Sequence, residues 1–421
     1  LAAKYGGGIF LIIYIVLALT FGYTMIVAET AIGRMTRKSP VGAFKSFGKK
    51  KWLSFGGWIN AVIPVLIVPY YSVIGGWVIK YLVEYFRGNA KLLAEDGYFT
   101  DFISNGVSTE LCFVAFCAFT LIIIFAGVQN GIERVSKIMM PILIVLSVII
   151  AVYSVTRPGA LAGVKYFLVP NVKNFSWMTV VSAMGQMFYS LSIAMGILIT
   201  FGSYMKKDTA IEDSTRNVEV FDTGIAIMAG LMIIPAVFAF SGGDPDTLQA
   251  GPSLMFITIP KVFQNMGFGT VIGIVFFLLV LFAAITSSIA LTESAVSTFE
   301  DELGWGRKKA TVLVGVIMLV LGSLSSLGYG PLAGIKIIGM QFLDLFDFLT
   351  NSVMMPIAAL LTSLLVSRVV GIDKIEDEII HGESAFRRKK VFVVMIKYLC
   401  PVFAIIILLS SVANALGWIK M

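Results

Sequence analysis

The sequence predicts an all-α polytopic membrane protein with about ten complete transmembrane helices, and three observations carry that prediction. Of the 421 residues, 58% are hydrophobic and only 14% charged, with a mean hydropathy of +0.91, whereas soluble domains carry about 25% charged residues. A sliding window of roughly 19 residues, the length that crosses hydrocarbon as a helix, finds ten apolar segments. They lie near 9–33, 54–80, 110–127, 136–155, 177–202, 218–241, 268–298, 309–328, 337–366 and 391–418. Third, the basic residues alternate between sides. About 21 of the 32 Lys and Arg fall in 34–52, 128–137, 204–216, 300–309 and 366–390, and about eight in the intervening loops and the C-terminus. The positive-inside rule makes the first set cytoplasmic, so the net charge of +7 is an orientation signal.

Composition also excludes function classes. The cations are split among short loops, with no basic stripe interleaved with aromatics, so a nucleic-acid partner is not expected. Cys112, Cys117 and Cys400 lie in apolar segments without CxxC spacing, which supports neither a disulfide framework nor a zinc site. The single histidine, His381, sits in a charged cytoplasmic loop, so His-based metal or acid–base chemistry inside the membrane is excluded. No nucleophile–base pair points to an enzyme and no repeated filter-like element points to a channel.

The first apolar segment starts after Lys4-Tyr5-Gly6-Gly7-Gly8, which the charge rule sets outside. No signal peptide precedes it, and the pattern predicts an earlier span running from inside to outside. At the cytoplasmic start of the segment 136–155, Gly131 and Pro141 bracket nine residues that both weaken as helix, and we expect the stretch to unwind and admit water. The segment 177–202 is interrupted at its centre by Gly185-Gln186-Met187-Phe188-Tyr189-Ser190-Leu191-Ser192-Ile193-Ala194-Met195-Gly196. Unpaired backbone groups cost several kcal/mol in hydrocarbon, so irregular backbone there implies a cavity or a bound ligand. A midplane binding site is the expectation.

Between 218–241 and 268–298 lies an external, fairly apolar connection. It comprises Ser241-Gly242-Gly243-Asp244-Pro245-Asp246 and then Gly251-Pro252-Ser253-Leu254-Met255-Phe256 through Phe263. It is expected to dip back as a lid, with an ordinary surface loop as the alternative. The segment 268–298 is expected to be irregular in its second half, where Ala283-Ala284-Ile285-Thr286-Ser287-Ser288 either faces the bundle interior or packs helices closely.

Four carboxylates lie within or at the edges of spans: Glu29, Asp222, Glu293 and Asp347. Each must be paired, neutralised or functional. Asp222, with Ser190, Thr286 and Ser287, offers hard oxygen donors suited to a sodium ion. Glu29 and Glu293 adjoin no evident ligand cluster and read as structural.

These residues resemble the neurotransmitter:sodium symporter family, in its bacterial amino-acid transporter branch. The similarity rests on Gly6-Gly7-Gly8-Ile9-Phe10, Glu29-Thr30-Ala31-Ile32-Gly33-Arg34, Pro69-Tyr70-Tyr71, Gln186 to Gly196, Thr286-Ser287-Ser288 and the Gly131 to Pro141 spacing, in the family's order through nearly the whole chain. The resemblance implies a leucine-transporter-type 5+5 inverted repeat forming one transporter domain over 1–421. The rest of the first repeat is then 1–155, the second repeat 177–366, and 391–418 an additional helix. It implies sodium-coupled amino-acid import by alternating access at the cell membrane, in a lipid bilayer.

Carried over by resemblance, Ala283, Thr286 and Ser287 are ligands of one sodium site, and Ser190 and Asp222 of another. Tyr71 binds the substrate carboxylate and Tyr189 is the aromatic lid. Ile67, Ser192, Met195, Ala290 and Leu291 line the side-chain subsite together with Ser287, and Asp347 is the acidic half of an outer gate. Members that require chloride hold it through positions aligned with Tyr14, Gln186 and Ser190. Here Asp222 replaces an Asn and Ala226 a chloride-binding Ser, so no chloride is expected. The apolar lining favours a hydrophobic or aromatic amino acid. The family's first helix supplies further ligands and the gate arginine, and the present sequence holds only its distal Gly6-Gly7-Gly8 end. The alternative function is therefore a non-transporting amino-acid sensor or a truncated pseudo-transporter.

Overall fold

A computed structural model describes residues 1–242 and 251–415. Residues 243–246 of the external connection and 416–418 of the last predicted span lie outside the described residues. Nine helices among them are long and apolar enough to cross a membrane. In chain order the elements that matter are α1 (Gly8–Thr36), the short α2 (Pro40–Lys45), α3 (Lys51–Phe86), α4 (Gly106–Phe125) and α5 (Val128–Val155). There follow α6 (Trp177–Ser190), α7 (Ile197–Tyr204), α8 (Ile211–Ser241), the external α9 (Leu254–Gln264) and α10 (Gly269–Leu303). The chain closes with α11 (Arg307–Leu327), α12 (Phe342–Val370), the cytoplasmic α13 (Ile372–Ile380) and α14 (Lys389–Asn414).

The predicted segment 177–202 is the one span built from two half-helices, α6 and α7. A capping box opens α6, in which Ser176 accepts from Met178 N–H and Thr179 reaches back to Ser176 N–H, satisfying donors a helix start leaves free. The helix stops at Ser190 because Ser192 (φ 55°), Ala194 (φ 58°) and Gly196 (φ 70°) all take left-handed backbone. Two of these carry side chains, at a cost of order 1–3 kcal/mol each. At Gly196 a Cβ would meet Asn60 O at 2.8 Å, so the turn into α7 admits only glycine.

One expectation about irregularity is corrected. The helix α10 runs unbroken through Ala283–Ser288. Its hydroxyls are satisfied in place: Thr286 Oγ1 donates to Ala283 O at 2.9 Å, and Ser288 shares a hydrogen bond with Thr120 of α4 at 3.1 Å. The stretch from Gly131 to Pro141 is helical in this conformation. Gly131 sits in a wider turn over Val128–Glu133, and Pro141 lies inside continuous helix. The glycine has a packing reason, since a Cβ there would stand 2.1 Å from Ile123 O at the end of α4.

Close backbone approach organises the helices. A Cβ on Gly33 of α1 would meet Ile199 O at 2.1 Å, and one on Gly202 of α7 would meet Thr30 O at 2.6 Å, so α1 and α7 touch along small residues. On the other side, α3 packs against α4 and α10, where Gly76 faces the backbone at Phe113 and Gly273 faces the Tyr85 ring. The external α9 lies on the bundle: Phe256 is buried, stacks on Phe99 at 5.1 Å and accepts at its carbonyl from Tyr81 Oη at 2.7 Å. That contact agrees with a segment that folds back onto the bundle.

Candidate functional site

The break between α6 and α7 faces α1 and α8, and each contributes a carboxylate. On α8, half-buried Asp222 accepts from Tyr14 Oη of α1 at 2.7 Å and from Ser190 Oγ, the last residue of α6, at 2.8 Å. Both carboxylate oxygens are thus engaged by hydroxyls, and no Lys or Arg among the described residues pairs with Asp222. Gln186 and Ala226 share with Tyr14 the lining of a cavity of 310 Å³, together with Phe10, Leu11 and Ile233. Four hard oxygens from three helices converge here, the kind of donor set that suits an alkali cation. Clusters of three or more His, Cys, Asp or Glu that would hold a transition metal are absent among the described residues.

The second carboxylate is Glu29 of α1. It is fully buried, and its Oε1 accepts from Ala194 N–H in the irregular stretch at 2.9 Å. Glu29 is structural, as expected, and its partner lies within the break itself. It holds the backbone of the break between Ser192 and Met195. The available signal was a carboxylate inside an apolar span, which demands a partner; its partner is a backbone group of another helix, and a side-chain search misses such a group.

A second set of residues lies across α3 and α10. The Tyr71 hydroxyl is within hydrogen-bonding reach of Ser287, which is exposed. Ala283 O and Thr286 Oγ1 lie side by side one helical turn before it. Ile67, Met195 and Leu291 are buried, while Tyr189, Ser192 and Ala290 are half-buried. Tyr189 lies near Tyr70, Tyr71 and Asp347.

Asp347 of α12 accepts from Tyr70 Oη at 3.1 Å and from Asn351 Nδ2 at 2.5 Å, with no cationic partner among the described residues. The Tyr70–Thr350–Asn351 group was not anticipated. Successive residues of a helix point about 100° apart, so the Tyr70-Tyr71 pair serves two different neighbours. Glu293 is likewise structural, as expected. It accepts from Arg307 Nη1 at 3.0 Å and Nη2 at 2.6 Å and from Tyr204 Oη at 2.8 Å, fully buried.

A bundle of membrane-spanning helices, with one helix broken at its middle and oxygens from three spans gathered at the break, is the architecture of a secondary transporter. The chain belongs to the sodium:neurotransmitter symporter family, whose model matches residues 1–95 and 98–418. An uncharacterized sodium-dependent transporter, YhdH of Bacillus subtilis (strain 168), is 32% identical over 98% of this chain and 91% of its own length. The human sodium- and chloride-dependent GABA transporter 2 is 25% identical over 90% of this chain and 70% of its own. The crystal structure of MhsT in complex with L-phenylalanine matches with a TM-score of 0.86 and 33% identity, covering 97% of this chain and 93% of that one. The fold is therefore the leucine-transporter-type inverted repeat, and the chain is a sodium-dependent membrane transporter of a small molecule, not an enzyme.

Proposed function

We propose that this chain imports hydrophobic or aromatic amino acids across the cell membrane by sodium-coupled symport with alternating access, and that it does so without chloride. The observation that carries the reading is Asp222 held by Tyr14 and Ser190 at the end of α6. A fixed carboxylate beside the break neutralises an entering sodium and makes an added anion redundant. Ser190 and Asp222 serve one sodium; Ala283, Thr286 and Ser287 serve a second. Each charge moving inward through 100 mV contributes about 2.3 kcal/mol before any concentration term.

The substrate carboxylate meets Tyr71, and the side chain enters the pocket of Ile67, Ser192, Met195, Ser287, Ala290 and Leu291. Buried Met195 adapts to different apolar shapes. The phenylalanine named in the MhsT complex belongs to the same chemical class. Tyr189 closes over the pocket and Asp347 forms the acidic side of the outer gate. Gly131 and Pro141, helical in this conformation, mark where α5 opens when sodium leaves inward.

Uptake of labelled leucine, tryptophan and tyrosine into proteoliposomes tests this. Accumulation is expected under an inward sodium gradient and should be unchanged when gluconate replaces chloride. Binding without accumulation would make the chain a sensor instead, and loss of uptake in gluconate would remove the role given to Asp222.

A further inference from the structure

The cytoplasmic connection from α1 to α3 carries more positive charge than orientation requires, and it carries it next to exposed aromatics. Between Arg37 and Lys51 there are six cations, Arg37, Lys38, Lys45, Lys49, Lys50 and Lys51, and no acidic residue. Two are engaged: Arg37 donates to Ser203 O at 3.1 Å and Met205 O at 2.5 Å, and Lys45 pairs with Glu302 at 2.6 Å. Lys38, Lys49, Lys50 and Lys51 are exposed, and none forms an ion pair among the described residues.

The helix α3 starts at Lys51. Spacings of three and four place Lys51, Phe55 and Trp58 along one face, and Phe55 is 56% and Trp58 40% exposed. Lys45 Nζ lies 5.8 Å from the centre of the Trp58 ring. Trp58 is seven residues into the helix, about 10 Å from its start, so the lysines stand at headgroup level while the rings reach the acyl boundary, where aromatic belts form.

We propose that the face made by Lys49, Lys50, Lys51, Phe55 and Trp58 is a binding surface for an anionic phospholipid of the cytoplasmic leaflet. Its phosphate meets the lysines and its acyl chain lies along Phe55 and Trp58. A soluble acidic protein would satisfy the charges and leave the rings uncovered. Free phosphate would do the same. The proposal depends on membrane orientation alone and stands whatever the transported substrate is.

Fluorescence of the full chain in bilayers tests it. The protein is reconstituted into phosphatidylcholine containing increasing brominated phosphatidylglycerol, and in parallel brominated phosphatidylcholine, and the W58F signal is subtracted to isolate Trp58. Wild type should show preferential quenching by the brominated anionic lipid, weakening with salt. Each lysine near an anionic surface is worth roughly five-fold in association, so K49Q/K50Q/K51Q should lose the preference by at least about ten-fold. These exposed side chains make no ion pair, so the variant should keep the wild-type melting temperature in pure phosphatidylcholine. Equal quenching by both brominated lipids in wild type would overturn the proposal, as would a preference that survives in the triple variant. Removal of the preference by millimolar inorganic phosphate at constant ionic strength would also overturn it, because the site would then be a phosphate site.

Discussion

Asp222 and Glu293 are both carboxylates within membrane-spanning helices, and their neighbours separate their roles. Glu293 has a guanidinium clamped on both oxygens, whereas Asp222 has only hydroxyls and is left with negative charge to offer. Asp222→Asn keeps the acceptor and removes the charge. The sodium concentration needed for half-maximal thermal stabilisation should rise at least about ten-fold, because bound ligand adds to apparent stability; overlaid sodium titrations of variant and wild type would refute this. Arg307→Ala strands the Glu293 charge in the interior, and breaking a buried pair from one side costs about 3–5 kcal/mol. A large fall in melting temperature is expected, with Arg307→Lys recovering only part, since an ammonium cannot reproduce the two-pronged contact. At this scale the sequence picked out the four carboxylates because a charge in an apolar span is conspicuous. It could not name the partner of Glu29, which is the Ala194 amide, because any residue type supplies a backbone N–H.

The break from Leu191 to Gly196 is the element on which the candidate site depends. Its irregularity is set by Ser192, Ala194 and Gly196 at positive φ, so the backbone preference of each residue can be tested separately. Ala194→Gly relieves left-handed strain and should raise stability by about 1 kcal/mol or less, seen as a small gain in melting temperature. Gly196→Ala adds a Cβ 2.8 Å from Asn60 O and should destabilise by roughly 2 kcal/mol or more. Equal melting temperatures for the two variants would contradict the assignment. This break was legible because Gly and hydroxyl residues cluster within one apolar span. The same cue misled for α10, where Thr286 and Ser288 bond to a carbonyl of their own helix or a hydroxyl of a neighbour. A hydroxyl satisfied in that way leaves the helical ladder intact, and composition cannot distinguish the two cases.

At the scale of the whole molecule, α1 and α7 are drawn together by Gly33 and Gly202, and the cytoplasmic ends are tied across the bundle. Arg34 donates to Glu378 of α13 at 2.6 Å, while Arg388 reaches Glu219 at 2.6 Å and lies 3.9 Å from the centre of the Tyr23 ring. Gly33→Leu would drive a side chain into the Ile199 carbonyl and separate α1 from the half-helix that follows the break. The expected result is loss of the monodisperse folded peak in detergent size-exclusion chromatography, and a wild-type profile would show that the contact is dispensable. The sequence by itself determined the number of spans and the position of the break, and it predicts the orientation of the spans. Those properties depend on local quantities: hydrophobic length, the side on which Lys and Arg fall, and the backbone freedom of a few residues. Only the tertiary structure decided which polar groups meet. Tyr14 and Asp222 are 208 residues apart, and Glu29 and Ala194 are 165 apart. A buried polar group takes whichever partner helix packing brings within about 3 Å, and spacing along the chain does not encode that choice.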